Sequence, residues 1–162
     1  MKLYIRNKFI SLGGSSKVVN EKEELVYSVK GRVFSPTRVK KIYDTNENFL
    51  YKVRNKFFNF FNTSAYIYNN QNEKIAKLTK KFFAVGSKFF VEGYKDEIKV
   101  EGDWMSLTLR IIVNGVVVGS IRKEFFALND CYELDSEEQD MSFLTALVIA
   151  IDNIIDNKRN NR

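Results

Sequence analysis

The chain has 162 residues, of which 44% are hydrophobic and 14% aromatic, enough apolar material for one domain with a true core. It carries a formal charge of +6, a single cysteine and no histidine. The missing histidine removes the commonest general base and metal ligand, and with it any Ser-His or Cys-His nucleophile. Cys131 alone can form no internal disulfide, so a reducing, cytoplasmic setting is expected.

Met1 to Ile10 scatters its charges instead of placing them ahead of an apolar run, so no secretory signal is expected and the mature chain should begin near Met1. From there to Leu134 the sequence reads as short strands joined by turns rich in Asn, Asp and Gly. The expected strands are Lys2 to Phe9, Lys17 to Asn20, Leu25 to Phe34, Arg38 to Asp44, Phe49 to Arg54 and Ser64 to Tyr68, then Lys74 to Phe82, Ser87 to Tyr94, Glu97 to Glu101, Leu107 to Val113, Val116 to Arg122 and Phe125 to Leu134. Turn signals recur about every 8 to 12 residues, as in a sandwich or barrel. The clearest is Asn114-Gly115, because a type I′ hairpin needs positive φ at both central residues. Gly13-Gly14-Ser15-Ser16 also reads as a turn, since it lacks a phosphate loop's Lys and its following helix. Ser35-Pro36 is another, with the residue before proline held extended.

Tyr43 to Phe58 repeats as Tyr68 to Phe83 at a constant offset of 25, pairing Leu50 with Ile75, Val53 with Leu78 and Lys56 with Lys81. A fainter copy runs through Val118, Ile121, Lys123 and Phe125-Phe126. In each copy two apolar residues stand three apart, which strict alternation cannot place on one face, so a β-bulge or a doubly buried position is implied. The small Ala76 and Gly119 are expected to let a strand approach an enclosed helix.

That helix is Phe143 to Ile155. Its apolar positions fall all round the 3.6-residue wheel, the mark of a helix enclosed by other elements. At 1.5 Å per residue the stretch is about 20 Å long, short of the roughly 30 Å needed to cross a bilayer. Asp140 or Ser142 can cap its first turn. Asp152, inside the apolar run, must sit at a barrel mouth or pair with a Lys, an Arg or a backbone donor. One domain is expected over 1–157, followed by a polar tail, 158–162.

The positive charge is local. Residues 30 to 88 hold thirteen Lys and Arg against three acids, a net +10, which leaves −4 for the remainder. Such asymmetry marks a surface that meets anionic lipid, nucleic acid or an acidic partner, or else a Lys- and Asn-rich composition without function. The candidate binding residues are Arg38, Lys40, Lys41, Lys52, Arg54, Lys56, Lys77, Lys80 and Lys81. Strand parity projects Lys52, Arg54 and Lys56 from one face. Phe57-Phe58-Asn59-Phe60-Phe61 follows them and either seals a barrel end or touches an interface. No RNP-like pattern, zinc knuckle or helix-turn-helix points to nucleic acid. Carboxylate-only catalysis needs two acids facing one cleft. Asp103 beside Trp104 would suit a sugar, although Trp104 also suits a core cap. No catalytic residue, metal or cofactor is assigned.

Val29-Lys30-Gly31-Arg32-Val33-Phe34-Ser35, Ile42-Tyr43-Asp44, the Leu50-x-x-Val53-x-x-Lys56 unit, Val116 to Phe126, Asp130-Cys131-Tyr132-Glu133-Leu134 and Ala146 to Asp152 together resemble the bacterial LURP-one-related proteins. These are similar in fold to the tubby C-terminal domain and the phospholipid scramblases. The resemblance implies a closed barrel of about twelve antiparallel strands enclosing a hydrophobic C-terminal helix, in agreement with the strands and helix read above. Tubby domains bind phosphoinositides and scramblases act on lipids, so it also implies a non-enzymatic module for an anionic headgroup or phosphorylated ligand. No tubby lipid-binding residue carries over to a position here. The open alternatives are a protein-interaction scaffold without a small ligand, and an enzyme using carboxylates alone. The partner expected is thus an anionic membrane surface, met peripherally, or another protein.

Overall fold

The computed structural model describes residues 1–7, 15–31, 37–56, 64–82, 87–103, 108–126 and 129–159. The strands are β1 (Lys2–Asn7), β2 (Ser16–Asn20), β3 (Leu25–Gly31), β4 (Lys40–Tyr43), β5 (Phe49–Asn55), β6 (Ser64–Tyr68), β7 (Lys74–Phe82), β8 (Ser87–Glu92), β9 (Ile98–Asp103), β10 (Thr108–Val113), β11 (Val116–Phe126) and β12 (Asn129–Ser136), followed by helix α1 (Met141–Arg159). Each strand pairs antiparallel with its sequence neighbours, and β1 pairs with β12 to close the barrel. Two backbone hydrogen bonds, Ser136 N to Met1 O and the Met1 amine to Ser136 O, fasten that seam. Closure leaves no strand edge open for another chain to extend.

The expected architecture is therefore the observed one with several boundary shifts, among them a twelfth strand that starts at Asn129 instead of the expected Phe125 and a fourth that starts at Lys40 instead of the expected Arg38. The eleventh strand runs on to Phe126, past the break expected at Arg122, and the helix extends beyond both ends of Phe143 to Ile155. The Asn114-Gly115 hairpin has φ of 50° and 84°, as type I′ demands. Three other turns share one design: Asn20, Asp44 and Asn69 each accept backbone N–H bonds on the side-chain oxygen, and Glu23, Glu47 and Asn72 take the left-handed position. Gly13-Gly14, Ser35-Pro36, Phe57 to Phe61 and Trp104 lie outside the described residues.

The repeat encodes a bulged hairpin. Ile42 faces Tyr51 while Tyr43 faces Phe49, so Leu50 is the extra residue; Ile67 faces Ala76 while Tyr68 faces Lys74, so Ile75 is extra. Val118 is extra between Gly119 and Val117, and Val26 between Tyr27 and Leu25. The apolar pairs three apart, such as Leu50 with Val53, thus follow from bulges, which bend the strands and add the twist that closes a barrel. Gly119 has a different role from the one expected. A Cβ there would lie 2.4 Å from the Asp135 carbonyl oxygen and 2.8 Å from Ser136 Cβ, so the missing side chain serves the approach of β12, not of the helix.

Helix α1 packs against β5, β6, β7 and β12, and every residue from Phe143 to Ile155 is buried. Inward positions alternate along the strands, as Leu3, Ile5, Val53, Leu78, Val100, Ile111 and Leu134 show, and all join one core with the helix. Asp140 caps the first turn through Phe143 N–H at 2.9 Å and the Ser142 hydroxyl at 2.8 Å. Ala146 is wholly enclosed, so Ala146→Asp would bury an unpaired charge at a cost of about 5 kcal/mol, comparable with a domain's whole stability. We expect no cooperatively melting, soluble protein from that variant; a normal calorimetric transition would show that the helix is not enclosed.

Candidate anion-binding face

Because Val53 points into the core, its neighbours Lys52 and Arg54 point out, and the register extends this parity across the sheet. Lys30, Lys41, Lys52 and Tyr68 stand directly opposite one another on β3, β4, β5 and β6. The next outer row runs Arg54, Tyr66, Lys77, Glu92 across β5 to β8. Three lysines in one cross-strand row repel each other, which by itself disfavours the fold. Lys30 is relieved by Glu47 at 3.5 Å and Lys77 by Glu92 at 3.0 Å. Among the described residues, no carboxylate forms an ion pair with Lys41, Lys52 or Arg54.

Rings lie beneath these cations. The Lys52 ammonium is 4.3 Å and the Arg54 guanidinium 5.3 Å from the Tyr68 centroid, Lys41 is 5.7 Å from Phe49, and Lys81 is 4.8 Å from Phe90. Lys52 also donates to Asn72 Oδ1 from the next turn. Partial burial, then the charges of Arg54 and Lys41, hold the Lys52 ammonium below the ordinary lysine range.

The nine candidate cations thus divide. Lys41, Lys52, Arg54, Lys77 and Lys81 share the outer face, with Lys56 exposed just beyond β5. Arg38 lies in the connection before β4 with a left-handed φ of 48°. Lys40 and Lys80 turn inward, because they alternate with the buried Ile42 and Leu78. Lys123, on β11, is also inward, alternating with Ile121 and lying 5.1 Å from the Tyr132 ring. These lysines, with Asn55 of β5, form a polar layer inside the barrel around the helix's last buried turn.

Asp152 is the centre of that layer. Lys40 Nζ lies 3.1 Å from its Oδ2, and the Tyr132 hydroxyl donates to its Oδ1 at 2.5 Å. Burial alone would push this carboxyl up, but Lys40, Tyr132 and the charge of Lys123 outweigh it and hold Asp152 below the usual carboxylate range. Of the two places open to Asp152, the paired interior is the one it takes. Asn153 adds a second tie, donating to the Arg38 carbonyl oxygen at 2.9 Å, while Asn55 donates to the Asn153 carbonyl oxygen at 3.1 Å.

The opposite mouth is organised by Asp140, whose Oδ2 accepts from Tyr94 at 3.1 Å and Tyr51 at 3.4 Å. Tyr94 stacks on Phe143 with centroids 3.8 Å apart. Burial first, then the Asp140 charge, pushes the hydroxyls of Tyr27, Tyr51 and Tyr94 up. A hollow beside this mouth is lined by Tyr94, Asp96, Glu138, Asp140 and Phe143, but both Asp140 oxygens are already engaged in the cap and the tyrosine bonds. Asp140 and Asp152 lie twelve residues apart on one helix, about 18 Å, too far to act as a carboxylate pair, whose members stand about 5 to 10 Å apart. No group of three or more Cys, Asp or Glu that could hold a metal occurs among the described residues.

A family model described as LURP-one-related matches residues 1–152. The chain belongs to the LURP-one-related family. YxjI of Bacillus subtilis, an uncharacterized protein, is 23% identical over 158 residues, covering 97% of this chain and 95% of its own. A solved structure of an Arabidopsis thaliana protein superposes with a TM-score of 0.62 at 13% identity, covering 94% of this chain and 91% of that one, a likeness of fold. At the level of the family, the chain is a LURP-one-related domain built as a closed barrel with its helix enclosed. No helix among the described residues of this LURP-one-related protein is long and apolar enough to cross a membrane.

The sign of the Asp152 shift gives a test. A carboxyl held low in the fold contributes stability that is fully present above its unfolded value, about 3.9, and is lost as pH falls toward the folded value. Asp152→Asn should lose about 3–5 kcal/mol at neutral pH, since Lys40 stays buried without its carboxylate. Its urea midpoint should then change less than the wild type's on acidification through that window. Parallel pH profiles for the two proteins would contradict this assignment.

Proposed function

We propose that this domain is a non-catalytic binding module that holds anionic lipid headgroups on the outer face of β3 to β8, around Lys41, Lys52 and Arg54. The observation that carries this reading is the cation row itself. In it Lys41 and Lys52 stand face to face without carboxylate relief among the described residues, a destabilising arrangement that an incoming anion would turn favourable. The aromatic rings support phosphate over nucleobase recognition. Tyr68, Phe49 and Phe90 already carry cations, so the π-faces that stacked bases would need are in use. A cluster of cations on one outer face suits a negatively charged leaflet, where each added basic residue contributes about 1 kcal/mol.

The test is co-sedimentation with neutral, phosphatidylserine and phosphoinositide vesicles at low and high salt. Wild-type protein should bind the anionic vesicles at low salt and release them at high salt. Lys41→Glu, Lys52→Glu and Arg54→Glu combined should lose roughly a hundred-fold or more in affinity, from about 3 kcal/mol of removed attraction. Its melting temperature should change little, because reversing both members of the directly opposed Lys41–Lys52 pair exchanges one like-charge repulsion for another. No binding of the wild type at low salt would discard the lipid reading and favour a protein partner.

A further inference from the structure

We propose that Lys52 is a self-acylation site for acyl phosphates, with Lys41 and Arg54 holding the phosphate that leaves. The inference rests on the cation cluster of the proposed binding face, but not on a membrane being its ligand.

Two geometric facts single out this lysine. Lys52 stands between two other cations: Lys41 is its direct partner across the β4–β5 ladder, and Arg54 follows two residues along the same face and shares the Tyr68 ring with it. A guanidinium and an ammonium flanking one amine can hold a doubly charged phosphate by charge-assisted hydrogen bonds while the amine faces the attached acyl carbon. Asn72 Oδ1, accepting from Lys52 Nζ, fixes where that amine sits. Two other surface lysines meet an anion differently. Lys77 faces Glu92 at 3.0 Å and Lys99 faces Glu97 at 2.5 Å, so an approaching phosphate finds the charge already neutralised and a carboxylate beside it.

The chemistry is ordinary amide formation. Lys52 first loses a proton to solvent, a step favoured where burial and neighbouring cations oppose the ammonium form. The free amine adds to the acyl carbon, a C–N bond forms, the C–O bond to phosphorus breaks, and its electron pair leaves on inorganic phosphate. The second amine proton follows to solvent or to the departing phosphate. No oxidant or reductant is needed. The product amide removes the central charge of the Lys41–Lys52–Arg54 cluster, so the reaction would switch off anion binding at the same place.

The test uses purified full-length protein, acetyl phosphate as reagent, and peptide mass spectrometry of site occupancy. Lys52 should acetylate at least about five-fold faster than Lys77 and Lys99, as a neighbouring-cation lysine does relative to carboxylate-paired ones. N-hydroxysuccinimidyl acetate, which carries no phosphate, separates reactivity from phosphate holding. Arg54→Gln should slow Lys52 with acetyl phosphate by a larger factor than with the succinimidyl ester. A Lys52 rate no greater than those of Lys77 and Lys99 would overturn the proposal, as would an Arg54→Gln change that slows both reagents equally. Selective acetylation of a protein that ignores anionic vesicles would overturn only the lipid reading.

Discussion

The enclosure of α1 is the constraint from which the rest of the structure follows. Thirteen consecutive buried residues need apolar contact on every side, and no flat sheet can give that. A single meander of antiparallel strands can, provided it curls until its first and last strands pair. The bulges at Val26, Leu50, Ile75 and Val118 are how the sequence supplies that curl, one in each of four hairpins. Among the described residues, the helix fills the interior and its side chains join those of the strands in one core. What the protein presents to other molecules must therefore lie on the outer faces of the strands or at the barrel's ends.

The two ends solve the same physical problem in different ways. A helix buried from Phe143 to Ile155 must find partners for the polar groups at either end of that run. At the start, Asp140 takes the first-turn donors and is itself held by tyrosine hydroxyls from β5 and the β8–β9 turn. Toward the finish, the strands replace their next inward apolar residue by Lys40, Asn55, Lys80 and Lys123, and Lys40 and Asn55 meet the helix at Asp152 and Asn153. Asp152 then ties the helix to β4 and β12 across 112 and 20 residues of sequence. Such a pair adds little net stability, because desolvation offsets its attraction, but it fixes the helix's depth and rotation inside an otherwise featureless apolar tube.

The fold was legible because two periodicities are plain in the residues: the all-round apolar run of Phe143 to Ile155, and the hairpin unit repeated at an offset of 25. The site was less so. Composition placed nine cations together, yet their sorting depends on parity counted from a core residue. Lys80 follows Leu78 by two and Lys40 precedes Ile42 by two, so both belong inside. That signal was present, but reading the positive charge as one undivided patch concealed it. Lys123 was matched to Lys56 and Lys81 by residue type, whereas its backbone place is that of Asn55 and Lys80. The tyrosines around Asp140 had no local signature, because Tyr51 and Tyr94 meet it only through closure of the barrel.

The sorting also separates the two meanings that an excess of lysine can have. Lysines that only solubilise a protein settle beside carboxylates, as Lys77 does with Glu92 and Lys99 with Glu97. Those that complete a core settle inside, as Lys40 does with Asp152. Lys41, Lys52 and Arg54 fit neither description: they are outside, Lys41 and Lys52 face to face with Arg54 beside them, and without carboxylate relief among the described residues. A drift in composition would scatter cations without regard to register, and direct cross-strand placement of like charges is the arrangement folding disfavours. A row kept in that arrangement, each member over a ring that lowers the cost of holding it there, is what an external anion would complete.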